Sequence, residues 1–121
     1  MTSTTTTEQH DFARPDEVRE FDRGRLELLH VGGSEIGRLV LRPGWRWSEH
    51  VKPIAGTELC EVPHFQYHVA GTLRVRTADG LEFDATSGQV TSLPAGHDAW
   101  VVGEEEVVIV DWWGASTYAK P

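Results

Sequence analysis

This 121-residue chain holds a single cysteine, Cys60, so no disulfide forms within it and its fold does not depend on an oxidising compartment. Basic side chains are scarce: 11 Lys and Arg stand against 19 Asp and Glu, a formal charge of −8. Nucleic acid and anionic membranes both need neutralising Lys and Arg, so neither is an expected partner. No apolar run approaches the ~18 residues of a membrane span, and the Thr-rich start lacks the apolar stretch of a signal peptide. The expectation is a soluble, cytoplasmic protein. No nucleophile stands with an adjacent base, and no glycine-rich loop is built to cradle phosphate. Beyond Val18, helical periodicity is absent as well.

What remains is a run of short strands with a histidine cluster hung on two glycine-spaced blocks. The first block reads Gly44-x5-His50, then a loop with Cys60 and His64, then Gly71. The second reads Gly88-x5-Pro94-x-Gly96-His97. Four of the six histidines and the only cysteine fall in this window, which points to a metal or a polar small ligand in a β-barrel. Residues 1–14 read as a disordered polar tail of Thr, Ser, Glu and Gln, and residues 15–121 as one domain. Pro15 to Val18 suits a short turn of helix, with Pro in the first turn. Arg25 to Val31 and Ile36 to Leu41 flank Gly32-Gly33-Ser34-Glu35 as a hairpin. Trp45 to His50 reads as the next strand and Val51 to Val62 as a loop. His64 to Ala70 and Thr72 to Arg76 follow, bent at Gly71, a bulge signal. Leu81 to Ala85, Gln89 to Leu93, His97 to Val102 and Val107 to Trp112 bring the total to about nine strands, the regular spacing of a sandwich or barrel.

The two blocks resemble the paired motifs of the cupin superfamily. Gly44, His50 and Gly71 match the first motif, with His64 at the slot of its glutamate ligand. Gly88, Pro94 and Gly96 match the second. Lys52 and Ala99 stand where that family has two further histidines, and Gly103 where Asn is usual. The stretch from Gly96 to Gly103 resembles a group of bacterial cupins of unassigned function. The resemblance runs from about Leu26 to Trp113. It implies an all-β, double-stranded β-helix (jelly-roll) barrel, with a divalent metal inside.

The family's three-His, one-Glu set is incomplete here, and an alternative set offers itself. His50 is in register with a family ligand and His64 with the family's carboxylate. Since Ala99 occupies an inward position, His97 two residues earlier faces inward too. Cys60 reaches the same point from the loop. His50, Cys60, His64 and His97 make a set suited to Zn²⁺ or Fe²⁺. Cys60 is otherwise a small buried hydrophobe, with Glu58 and Glu61 as alternative anionic ligands. Arg46 and Gln66 share faces with His50 and His64 and are candidate substrate contacts, with His68 lining the barrel beside them. Trp45 and Trp47 face out if His50 faces in, which marks a homodimer surface; the alternative is burial between the sheets. Trp112 and Trp113 close the last strand, one on each side. Two functions follow. One is a metal-dependent enzyme of the cupin oxygenase, isomerase or lyase kind, acting on a small organic molecule. The other is a non-catalytic binder of a metal or small ligand, a sensor or store, which a closed four-ligand site favours.

Overall fold

Period-two alternation governs the chain from Glu17 onward and builds two antiparallel sheets. A computed structural model describes residues 6–112 and 115–120; the first five residues of the expected tail, and Trp113 of the expected last strand, lie outside them. Strands β2 (Gly24–Val31) and β3 (Ser34–Leu41) turn Leu26, Leu28, Leu39 and Leu41 inward. Their hairpin pairs Val31 with Ser34 across Gly32 and Gly33, at φ 61° and 76°. Such a two-residue turn needs positive φ at both positions, hence the two glycines.

The other strands are β1 (Glu17–Phe21), β4 (His64–Ala70), β5 (Thr72–Thr77), β6 (Glu82–Thr86), β7 (Val90–Leu93), β8 (His97–Val102) and β9 (Val107–Asp111). A six-stranded sheet runs β1-β2-β3-β9-β4-β7 and a three-stranded one β6-β5-β8. The core between them joins Leu73, Val75 and Val101 of the small sheet to Val107 and Ile109 of the large one. The chain passes from one sheet to the other at Gly71, φ 78°, where a Cβ would stand 2.6 Å from the carbonyl oxygen of Glu106. The ladder between β4 and β9 shifts register between His68 and Ala70, just before that passage.

Two local expectations give way to tertiary structure. Glu17 to Phe21 is not a turn of helix but β1, paired along its length with β2 and led in by the Asp16 amide bonded to the Leu28 carbonyl. Trp45 to His50 is not a strand. Only Arg46 bridges to Trp100, after which the chain coils into helical turns α1 (Trp47–His50) and α2 (Lys52–Ala55). The cause lies on β8: the Asp98 carboxylate accepts from the Ser48 amide at 3.1 Å and from Arg46 Nε at 3.1 Å, anchoring the first turn. Pro53 suits the start of the second turn, and Gly56 at φ 77° ends it. With the strand gone, its alternation goes too. Trp45 and Trp47 are both buried in the core rather than turned outward.

The exposed apolar face lies elsewhere, on the outer side of the large sheet. Phe65, Tyr67 and Val69 of β4, Val90 of β7 and Trp112 after β9 are exposed there, with Phe65 and Trp112 in ring contact. The β2–β3 half of the same face meets the chain's own start. Glu8 accepts from the Gly32 amide, and Arg38 lies over the Phe12 ring, 4.9 Å from its centroid.

Candidate metal centre

Three elements bring three soft donors to one point. On β4 the inward residues His64, Gln66 and His68 are buried while Phe65, Tyr67 and Val69 between them are exposed. On β8, His97 is the first strand residue, entered through Pro94 and Gly96. Cys60 is drawn in from the connection before β4 by a short ladder. Its amide donates to the His97 carbonyl at 2.8 Å, and the Gly96 amide donates to its own carbonyl at 2.7 Å. Side-chain donor atoms of Cys60, His64 and His97 all lie within 4.8 Å of one another, and all three residues are buried.

The ring nitrogens are assigned by their surroundings. His64 Nδ1 is 2.5 Å from Asp111 Oδ2, so Nδ1–H donates and Nε2 is turned to Cys60 Sγ at 3.8 Å. His97 Nδ1–H donates to the Pro94 carbonyl at 3.0 Å, so Nε2 is the ring nitrogen left to interact with Cys60. The two rings meet edge-on, with centroids 5.3 Å apart. Metal-binding imidazoles are commonly oriented through the other nitrogen by a carboxylate or carbonyl in this manner. Burial works against the Cys60 thiolate, yet hydrogen bonds and charge from His64 and His97 bring its pKa down to about 7. Burial alone would keep His64 neutral, but Asp111 and Cys60 raise its pKa to about 9. At neutral pH the group is poised as a thiol near the midpoint of its ionisation beside an imidazolium. One thiolate and two imidazole nitrogens also form a donor set that fits Zn²⁺ or Fe²⁺.

The remaining sequence candidates are placed apart from this point. His50 belongs to α1; its Nδ1 accepts from the Arg46 amide at 3.0 Å and its Nε2 faces Asp22 at 3.5 Å, so it does not join the three donors. Arg46 bonds Asp98 and Ser48 and covers the Trp100 ring at 4.2 Å, away from the barrel interior. His68 is buried, with Nε2 2.8 Å from Thr91 Oγ1, and burial keeps its pKa below the usual imidazole value. Gln66 does reach the interior. Its amide donates to Asp111 at 3.3 Å, and its Oε1 has no partner among the described residues.

Two residues that the sequence reading passed over shape the centre. Asp111 ends β9 on the inward side of Val107 and Ile109, so a carboxylate at that parity was a readable signal. Tyr118 had no local signal. It follows a 3₁₀ turn (Ala115–Thr117) that folds back over the barrel mouth, where Arg19 Nη1 donates to its carbonyl at 2.7 Å and to that of Ala115 at 3.3 Å. Its ring meets His64 edge-on at 5.6 Å, and full burial drives its phenol pKa well above the usual value. Tyr118 and Trp47 line both a small inner cavity of about 30 Å³ and an outer pocket of about 210 Å³. His64 and His97 face the inner space, Cys60 the outer. Trp45, whose Nε1 is buried without a partner among the described residues, also lines the inner cavity.

No family model matches the sequence, and no curated protein matches it. Solved structures do. A protein of unknown function from Rhizobium leguminosarum is 20% identical with a TM-score of 0.63, over 88% of this chain and 95% of that one. Oxalate decarboxylase from Bacillus subtilis is 19% identical with a TM-score of 0.56, over 82% of this chain and 27% of that one. A sugar phosphate isomerase from the cupin superfamily, from Silicibacter pomeroyi, is 18% identical with a TM-score of 0.53, over 74% of this chain and 58% of that one. The chain thus spans little more than a quarter of the decarboxylase and somewhat over half of the isomerase. The fold is the cupin jelly roll.

Proposed function

We propose that this protein binds one divalent metal, Zn²⁺ or Fe²⁺, through Cys60, His64 and His97, and acts through it on a small organic molecule. The observation that carries the reading is the approach of three soft donor atoms to within 4.8 Å, in a group where both imidazoles are anchored through Nδ1. Three protein ligands, rather than the four expected from the sequence, leave a position for substrate, which is the pattern of catalytic and not of structural sites. A metal held here supplies Lewis acidity to a carbonyl or carboxylate oxygen. The protein's own part is to keep the thiol ionisable, to fix both imidazoles, and to exclude water with Tyr118 and Trp47.

The test is metal analysis with variants. The purified protein should take up one equivalent of zinc, and Cys60→Ser should weaken zinc more than manganese or magnesium. A Cys60→Ser/His64→Ala/His97→Ala protein that retains full metal would sink the assignment. The burial of Tyr118 over the centre favours a second reading, a non-catalytic metal binder; a bound metal that exchanges no small ligand would select it.

We also propose that the chain is a homodimer formed through the outer sheet face of Phe65, Tyr67, Val69, Val90 and Trp112, a patch that water leaves unsatisfied. No helix among the described residues is long and apolar enough to cross a membrane. A cytoplasmic setting is favoured by Cys60 itself, because a thiolate ligand is best kept reduced there.

A further inference from the structure

We infer that the substrate chamber is the outer pocket on the Cys60 side, and that it takes a short-chain, branched or unbranched aliphatic monocarboxylate. The inference rests on the metal reading above for what lies at the chamber's inner end. Its starting point is how the two spaces divide the three donors. The inner cavity, at about 30 Å³, has room for a water-sized occupant and nothing larger. An organic substrate therefore cannot meet the centre from inside the barrel while Tyr118 is seated. The outer pocket, at about 210 Å³, reaches the same centre through Cys60 and is of a size for a molecule of a few carbon atoms.

The lining selects the chemistry. Trp47, Val51, Ala55 and Val62 form an apolar wall that suits a hydrocarbon body. Lys120, an exposed residue, lines the pocket and the centre would place a metal cation beside Cys60, so two positive charges favour an anionic head group. Glu61, also exposed in the lining, opposes a second carboxylate and so favours a monoacid over a diacid. A carboxylate is moreover a sound donor to Zn²⁺ or Fe²⁺ beside nitrogen and thiolate.

Isobutyrate is the probe, and cobalt the reporter, because cobalt bound by a thiolate gives a charge-transfer band. The cobalt-loaded full chain is titrated with isobutyrate, acetate and malonate. Isobutyrate should shift the band saturably, and acetate, two carbons smaller, should bind about tenfold more weakly. Malonate should also be weaker than isobutyrate. Thr57→Phe, an exposed lining residue outside the metal group, should fill the pocket, leaving the cobalt band intact and abolishing the isobutyrate response. Lys120→Gln should weaken isobutyrate several-fold at low salt and little at high salt. Equal binding of acetate and isobutyrate, or a Thr57→Phe protein that titrates like the parent, would overturn the inference and leave the metal reading standing. If no thiolate band forms, the metal reading fails. Tryptophan fluorescence, with Trp47 in the pocket wall, then decides the pocket alone: saturable quenching lost in Thr57→Phe upholds it, and no quenching ends it.

Discussion

Replacing Asp111 by Asn tests the electrostatic core of the site without removing a metal donor. Asp111 is fully buried and holds His64 Nδ1 at 2.5 Å. The His64 pKa rises from 6.5 to about 9 in the folded chain, with burial opposing the rise and Asp111 and Cys60 driving it. At 1.36 kcal/mol per unit, that rise corresponds to about 3 kcal/mol of stability, the lower edge of the ~3–5 kcal/mol for removing one partner of a buried pair. The sign follows from the raised pKa: the stabilisation is fully present below pH 6.5 and is lost as pH rises through about 9. Cys60 drives part of the rise, so urea denaturation of chelator-stripped protein should place Asp111→Asn below the parent at pH 6 by up to about 3 kcal/mol, with the gap narrowing between pH 6.5 and 9. The same substitution should weaken zinc by about 10- to 100-fold, since an unanchored imidazole is a poorer ligand. A stability gap that stays constant from pH 6 to 10 would refute the reasoning, because an uncharged hydrogen bond would then account for the whole contact.

Other consequences are separately measurable. His50→Ala should leave zinc affinity unchanged, whereas His97→Ala should reduce it by orders of magnitude in the same competition titration; equal losses would return His50 to the ligand set. Zinc binding should release more protons at pH 6 than at pH 8, because the Cys60 thiol ionises near 7 while His64 holds its proton to about 9. Calorimetry in buffers of different ionisation enthalpy gives that number. Gly71→Ala should cost well over ~1 kcal/mol, since it combines positive φ with a backbone clash, while Gly32→Ala, with open space around it, should cost only about the φ strain. Tyr67→Glu should make the protein monomeric by light scattering if the outer sheet face is the dimer surface.

The strands were legible because alternation and turn chemistry are local. Gly32-Gly33 announces its hairpin, and the inward parity of His64, Gln66 and His68 follows from β4 alone. What failed was decided by partners far away in sequence. Trp45 to His50 carries a strand-like pattern, but Asp98 anchors Ser48 and Arg46 in a helical turn, and nothing in the local sequence reports an acceptor 50 residues on. That one change carried His50 out of the barrel interior and turned both tryptophans inward. Pro15 to Val18 failed likewise, because pairing with β2 outweighs a proline at a helix start. Asp111 and Tyr118 differ in kind. The first sits at a parity the alternation rule exposes, while the second is placed by Arg19, which reaches it from β1.

The loss of His50 from the interior and the arrival of Cys60 are linked by one stretch of backbone. Once residues 47–55 coil into two helical turns, the chain emerges beside the start of β8, where Cys60 and His97 exchange backbone hydrogen bonds. That ladder fixes the thiol next to the imidazole through backbone hydrogen bonds. Their burial has an electrostatic cost, which the structure meets with charge: Asp111 lies behind His64, and the imidazolium so stabilised favours the thiolate. The buried carboxylate thus orients the His64 ring, the role of a partner to a ligand rather than of a ligand in the proposed metal reading. In the proposed metal reading the anionic donor would be a sulfur, which would favour zinc and iron over oxygen-seeking ions.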